Sequence, residues 1–151
     1  MMKLIMIKSP GLDEVEVEVY YDEMDDDVRN LVRYIERYDS YINGADGERQ
    51  FKIRINDIYY AEVVDNKTFI NTKNDVFKCE MHLYELMEKV KFFDFVQISN
   101  TCIVNTDAIN SMQGSANGRL KMTLTSGEKL NVSRAFLPRI KSAFSGEEDD
   151  R

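Results

Sequence analysis

From Phe51 onward the chain is written in short apolar runs of alternating parity, each closed by a cluster of turn-forming residues. That grammar constrains the fold most, because a period of two fits a pleated strand with one face in a core. Phe51, Ile53 and Ile55 alternate, Ile58–Val63 continues, and Asp65-Asn66 marks a turn. Phe69–Thr72 and Val76–Cys79 read as a hairpin about Lys73-Asn74-Asp75. Further strands are predicted over residues 95–98, 102–105, 108–113, 119–125 and 129–132, with turns at 115–118 and 126–127. Two helices interrupt. One lies near 81–91 with Leu83, Leu86, Met87 and Val90 on one face; the other closes the module with Phe136, Ile140 and Phe144 at spacing four. Pro138 falls in the first turns of that last helix, where its missing N–H does least harm. The predicted class is mostly β (α+β overall), an antiparallel sheet domain with short helices.

The amino-terminal part reads as strand, strand, helix. Lys3–Lys8 is apolar, and Val15, Val17 and Val19 alternate with Glu14, Glu16 and Glu18. Asp25-Asp26-Asp27 places negative charge at a helix start, followed by Val28, Leu31, Val32, Ile35 and Tyr38 at helical spacing. Asn43–Gly47 reads as the loop that ends this segment. The expected organisation is therefore a strand-strand-helix segment over 1–45, a β domain over 50–144 and a disordered acidic tail over 145–151.

Function classes narrow by exclusion. The one histidine, His82, cannot build a metal cluster with Cys79 and Cys102 at these spacings, and reads as a helix-surface residue. There is no glycine-rich phosphate loop, nucleophile elbow or HExxH, so no enzyme and no cofactor are expected. Two distant cysteines outside any CxxC read as reduced buried thiols, which suits a cytoplasm. No run approaches 18 apolar residues, and the start lacks the pattern of a signal peptide. Net charge is −7, but it is unevenly spread. Residues 1–49 carry 6 basic and 13 acidic groups, residues 50–141 carry 13 basic and 10 acidic. Only the middle could favour a polyanion.

One apolar run has a polar interruption. In Phe95–Asn105 the residues Val96, Ile98, Cys102 and Val104 share parity, yet Ser99-Asn100-Thr101 breaks the series. From residue types alone those three make a turn. Together with Asp57–Glu62, Leu83-x-x-Leu86, Ile109 and Leu124–Arg134, however, the stretch resembles the LytTR family of bacterial DNA-binding domains, from about Gln50 to Phe144. The amino-terminal segment is similar to the leader of standalone members without a receiver domain.

The resemblance implies a β domain that presents loops, rather than a recognition helix, to successive major grooves. Asn100 and Arg134 then match base-contacting positions, and Lys67 falls nearest a third, or is a plain solvated lysine. An asparagine amide reads adenine edges and an arginine fork reads guanine, each worth about 1–3 kcal/mol of discrimination. Asn66, Ser99, Thr101, Ser133, Lys73, Lys78, Lys121 and Lys129 are expected to support the loops or touch phosphate. Ser133 could instead cap the closing helix, and Asn105 reads as a structural turn residue. Many members carry His and a basic residue where this chain has Ser99-Asn100, which removes a positive charge from the loop. The implied partners are double-stranded DNA with paired direct repeats, a second copy of the chain, and in some related systems a restraining membrane protein. The competing reading is a small β-rich protein-interaction module without DNA binding, for which the net charge speaks.

Overall fold

The computed structural model describes residues 2–114 and 118–145, with side chains to residue 142. The turn expected at 115–117, the Phe144 side chain and the acidic tail lie outside the described residues. The chain divides into two compact units, Met1–Ile35 and Glu36–Arg151.

In the first unit the two expected strands do not form. Residues 2–24 contain no strand, and Val15 and Val17 are 90% and 59% exposed. The physical reason is the absence of a partner, since a lone extended segment leaves its backbone to water and its valines uncovered. Pro10-Gly11 does turn the chain, with Gly11 at φ +91°. The expected helix is present as α1 (Asp26–Tyr38), which runs across the division. The Asp25 carboxylate accepts from the Val28 N–H at 2.9 Å, and Asp26 and Asp27 fill the first turn.

Among the described residues the second unit holds ten strands. β1 (Tyr41–Asp46), β2 (Arg49–Arg54), β3 (Tyr60–Val64), β4 (Lys67–Asn71), β5 (Val76–Cys79), β6 (Phe95–Ser99) and β7 (Cys102–Asn105) form one antiparallel sheet in the order β2-β1-β5-β4-β3-β7-β6. β8 (Ile109–Gly114), β9 (Leu120–Leu124) and β10 (Lys129–Val132) form a second, in the order β10-β9-β8. α2 (Leu83–Lys89) and α3 (Leu137–Ser145) complete the unit. The His82 N–H donates to the Glu85 side chain at 3.3 Å, so the exposed histidine starts α2 and holds its first turn.

The loop expected at Asn43–Gly47 is mostly strand: β1 pairs with β2 along its whole length and touches β5 at Ala45. Gly44 misled the reading. A Cβ there would meet Ile53 Cδ1 at 2.5 Å and Phe77 Cβ at 2.9 Å, so glycine serves close packing within a strand rather than a turn. The reversal falls instead at Gly47, whose φ is +60°.

Alternation sorts the side chains into two cores. Ile42, Ile53, Ala61, Ile70 and Ile103 meet Leu83, Leu86 and Val90 of the α2 segment on one face of the large sheet. Tyr60, Ile98, Cys102 and Val104, on the other face, meet Leu120, Met122, Leu124, Val132 and Ile140. β7 is buried on both faces, which is why its sequence reads as a continuous apolar run. The shared parity of Val96, Ile98, Cys102 and Val104 marks the second core.

Candidate nucleic-acid interface

Three exposed tips are tied together by two backbone hydrogen bonds. β6 and β7 are joined by Asn100-Thr101, with Ser99 opposite Cys102. The Thr101 N–H donates to Ser99 Oγ at 3.2 Å, and the Ser99 and Thr101 hydroxyls lie 3.3 Å apart. The two hydroxyls thus close the turn, while the Asn100 side chain stands exposed between them.

The Thr101 carbonyl accepts from the Val63 N–H at 2.8 Å, which draws in the β3–β4 turn. That turn is Asp65-Asn66, both with positive φ (51° and 63°), and it leads directly into exposed Lys67 opposite Val64. Two central residues with positive φ match the twist of a tight hairpin, and Asp and Asn are the non-glycine residues that tolerate it. From the other side, the Ile98 carbonyl accepts from the Ser133 N–H at 2.8 Å and fixes the end of β10 against β6. Exposed Arg134 follows at once. Asn100, Lys67 and Arg134 are therefore gathered at one end of the unit.

The supporting residues divide. Asn66 and Lys121 belong with the tips: Asn66 is in the turn, and Lys121 lies beside Leu120, which pairs with Val132 just before Ser133. Lys73 sits past the far end of β4, roughly 20 Å from Lys67 at the rise of an extended strand. Lys129 opens β10 at the end remote from Arg134, and Lys78 is mid-sheet on β5, opposite Phe69 and Ala45. Ser133 precedes a single 3-10 turn (Arg134–Phe136) and its side chain makes no capping bond, so the cap role is not realised. Asn105 is structural, as its sequence position indicated: it is buried, donates to the Ile58 carbonyl at 3.0 Å and accepts from the Asp107 N–H at 3.0 Å.

Sequence reading passed over Arg119. It is exposed and adjacent to Leu120, so the β9–β10 register brings it to the Ser133–Arg134 end. The strand boundary at 119 was visible, but the hairpin register that aligns it with Arg134 was the missing signal. Acidic groups lie behind the tips. Tyr60 Oη donates to Glu128 Oε1 at 2.6 Å, joining the large sheet to the β9–β10 turn. Burial, then the Glu128 bond and charge, push the Tyr60 phenol up. Glu62, beside Cys102 in the ladder, is raised by burial and then by the charge of Glu128. Cys102 is pushed up to about 12, by burial first and by Glu62 and Glu128 second, so it stays a neutral core thiol.

The LytTr DNA-binding domain model matches residues 48–145, which covers β2 to β10, α2, α3 and all three tips, and leaves β1 outside. The chain belongs to the LytTr DNA-binding domain family. A solved LytTr DNA-binding domain from Bacillus cereus shares the fold, at TM-score 0.65 and 17% identity, covering 69% of this chain and 95% of that one. Uncharacterized HTH-type transcriptional regulators of Staphylococcus aureus strains RF122 / ET3-1 and MRSA252 are each 28% identical over 148 residues, covering 96% of this chain and 99% of theirs. Their names carry the term HTH-type, yet among the described residues of this LytTr chain no two α-helices follow one another without strands between. The Staphylococcus proteins match across nearly the whole chain, the amino-terminal unit included. No helix among the described residues is long and apolar enough to cross a membrane.

Proposed function

We propose that this DNA-binding transcriptional regulator reads specific sequence with loop side chains. Asn100 and Arg134 contact base edges in the major groove, Lys67 contacts a base or phosphate beside them, and Arg119, Lys121 and Asn66 set the register on phosphate. The observation that carries the reading is the convergence of the three tips: Val63 bonds Thr101 and Ser133 bonds Ile98, so loops far apart in sequence present one reading edge. Ser99 and Thr101 act by shaping the turn, which leaves the Asn100 amide to pair with a base. Lys73, Lys78 and Lys129 contribute charge at a distance. Two copies occupy paired direct repeats in the cytoplasm, and the amino-terminal unit holds them together. The reading edge also answers the protein-interaction alternative, since the acidic excess of the chain lies outside residues 50–141.

A gel-shift titration against selected genomic fragments tests this. Specific complexes should weaken with salt at a log–log slope of about −0.9 per phosphate neutralised. Arg134→Ala should cost about 1–3 kcal/mol at one base step and relax preference there. An equal loss on every sequence would reduce Arg134 to a phosphate contact.

A further inference from the structure

Of the 18 large apolar residues that stand exposed among the described ones, eleven lie within residues 2–24. That density is unusual for a surface, where scattered single apolar side chains are the norm. Within it, Glu14–Val19 alternates strictly: three glutamates on one face, three valines on the other. The segment has the form of a strand and lacks only an edge to join.

The edges of the second unit differ sharply. β6 is already covered, since Ser133 bonds Ile98 and α3 packs along it. β8 (Ile109–Gly114) carries no charged residue, and β10 carries one lysine. β2 is the other edge of the large sheet, and its six residues are Arg49, Gln50, Phe51, Lys52, Ile53 and Arg54. Phe51 and Ile53 face the α2-side core, while Gln50, Lys52 and Arg54 project from the opposite face. An added strand of Glu14–Val19 would extend that core with its valines and set its glutamates beside Lys52 and Arg54. Both faces match at once, in hydrophobicity and in charge.

We infer that Glu14–Val19 of one copy adds as a strand to the β2 edge of a second copy, reciprocally, and so builds the dimer; this rests on the self-association reading of the amino-terminal unit. Pairing of two Glu14–Val19 segments with each other is disfavoured, because it would oppose glutamate to glutamate. The Pro10-Gly11 turn returns Lys3–Lys8 alongside as the outermost strand. Its terminal lysines then blunt the new edge.

Charge exchange in the full-length protein tests the pairing by sedimentation. Variant one is Glu16→Lys/Glu18→Lys; variant two is Gln50→Glu/Lys52→Glu, which leaves the Arg54 contacts with Tyr38 and Asp39 intact. The wild type should sediment at twice the chain mass and each variant alone at the single-chain mass. An equimolar mixture should return to twice the mass, because both contacts of the mixed pair are complementary. Val17→Asp, which touches only the exposed segment, should also give the single-chain mass. A monomeric wild type overturns self-association altogether. A dimeric wild type whose variants all stay dimeric overturns this pairing and leaves self-association standing. Monomeric variants that fail to recover on mixing overturn it as well.

Discussion

Glu14–Val19 and Arg49–Arg54 have much the same pattern of alternating apolar and charged residues and end in different states. The second is a strand with Ile53 5% exposed; the first is irregular chain with Val15 90% exposed. Alternation therefore states which faces a segment would offer, not whether it will pair. β2 has β1 beside it through a turn at Gly47, in register along six residue pairs. The local loop closure is short, so the ladder forms at small entropic cost. Glu14–Val19 has the same propensity and, among the described residues, pairs with no strand.

If that contrast is right, the two regions must differ most in what truncation does to folding. Leu86→Ala, in α2 and 1% exposed, should destabilise by about 2–5 kcal/mol, read as a lower urea midpoint with an unchanged slope. Val17→Ala should move the unfolding of the second unit by no more than about 0.5 kcal/mol, measured at concentrations where the chain is monomeric. Comparable shifts at the two sites would erase the distinction.

The next effect is smaller and lies inside β1. Gly44→Ala forces a methyl within 2.5 Å of Ile53 Cδ1, and overpacking of this kind costs about 1–3 kcal/mol. At Gly47 nothing lies within 4 Å of an added Cβ and only the positive φ resists, at about 1–2 kcal/mol. Thermal unfolding of the two variants separates crowding from backbone strain, because Ile53→Val should relieve the Gly44→Ala variant alone. No relief of the Gly44→Ala variant would overturn crowding against Ile53 as the reason for glycine there.

These positions show why part of the molecule could be read from sequence and part could not. Nine of the ten strands among the described residues follow from parity and turn residues, since Asp65-Asn66, Lys73–Asp75 and Ser126-Gly127 punctuate them locally. β1 was hidden because the meaning of Gly44 depends on Phe77, more than thirty residues away. The absence of the amino-terminal strands was hidden for the converse reason: a missing partner leaves no mark on the segment that lacks it. In the reading edge, Asn100 and Arg134 came from the resemblance, not from chemistry visible in the residues themselves. Arg119 needed the β9–β10 register, and the separation of Lys73 from Lys67 needed the direction of β4.

The smallest expected effect concerns charge. Glu62 lies on β3 among buried neighbours, with its carboxyl raised from 4.5 by burial and then by Glu128. A carboxyl raised on folding binds its proton more tightly in the folded state, so stability is fullest below the unfolded value near 4.5 and falls as pH rises through the folded one. Glu62→Gln removes the titrating group and should flatten the stability curve of the second unit just above pH 4.5. At neutral pH the variant should gain less than about 1 kcal/mol, because a half-buried carboxylate is still partly screened by solvent. The pH series of urea midpoints reads both, and a steeper curve in the variant would show that Glu62 is held by a favourable partner instead. The same substitution bears on DNA. Glu62 lies next to Val63, whose N–H bonds the Asn100 turn, so loss of its charge should tighten operator binding slightly and more at low salt than at high. A change independent of salt would place the effect in the shape of the turn rather than in its field.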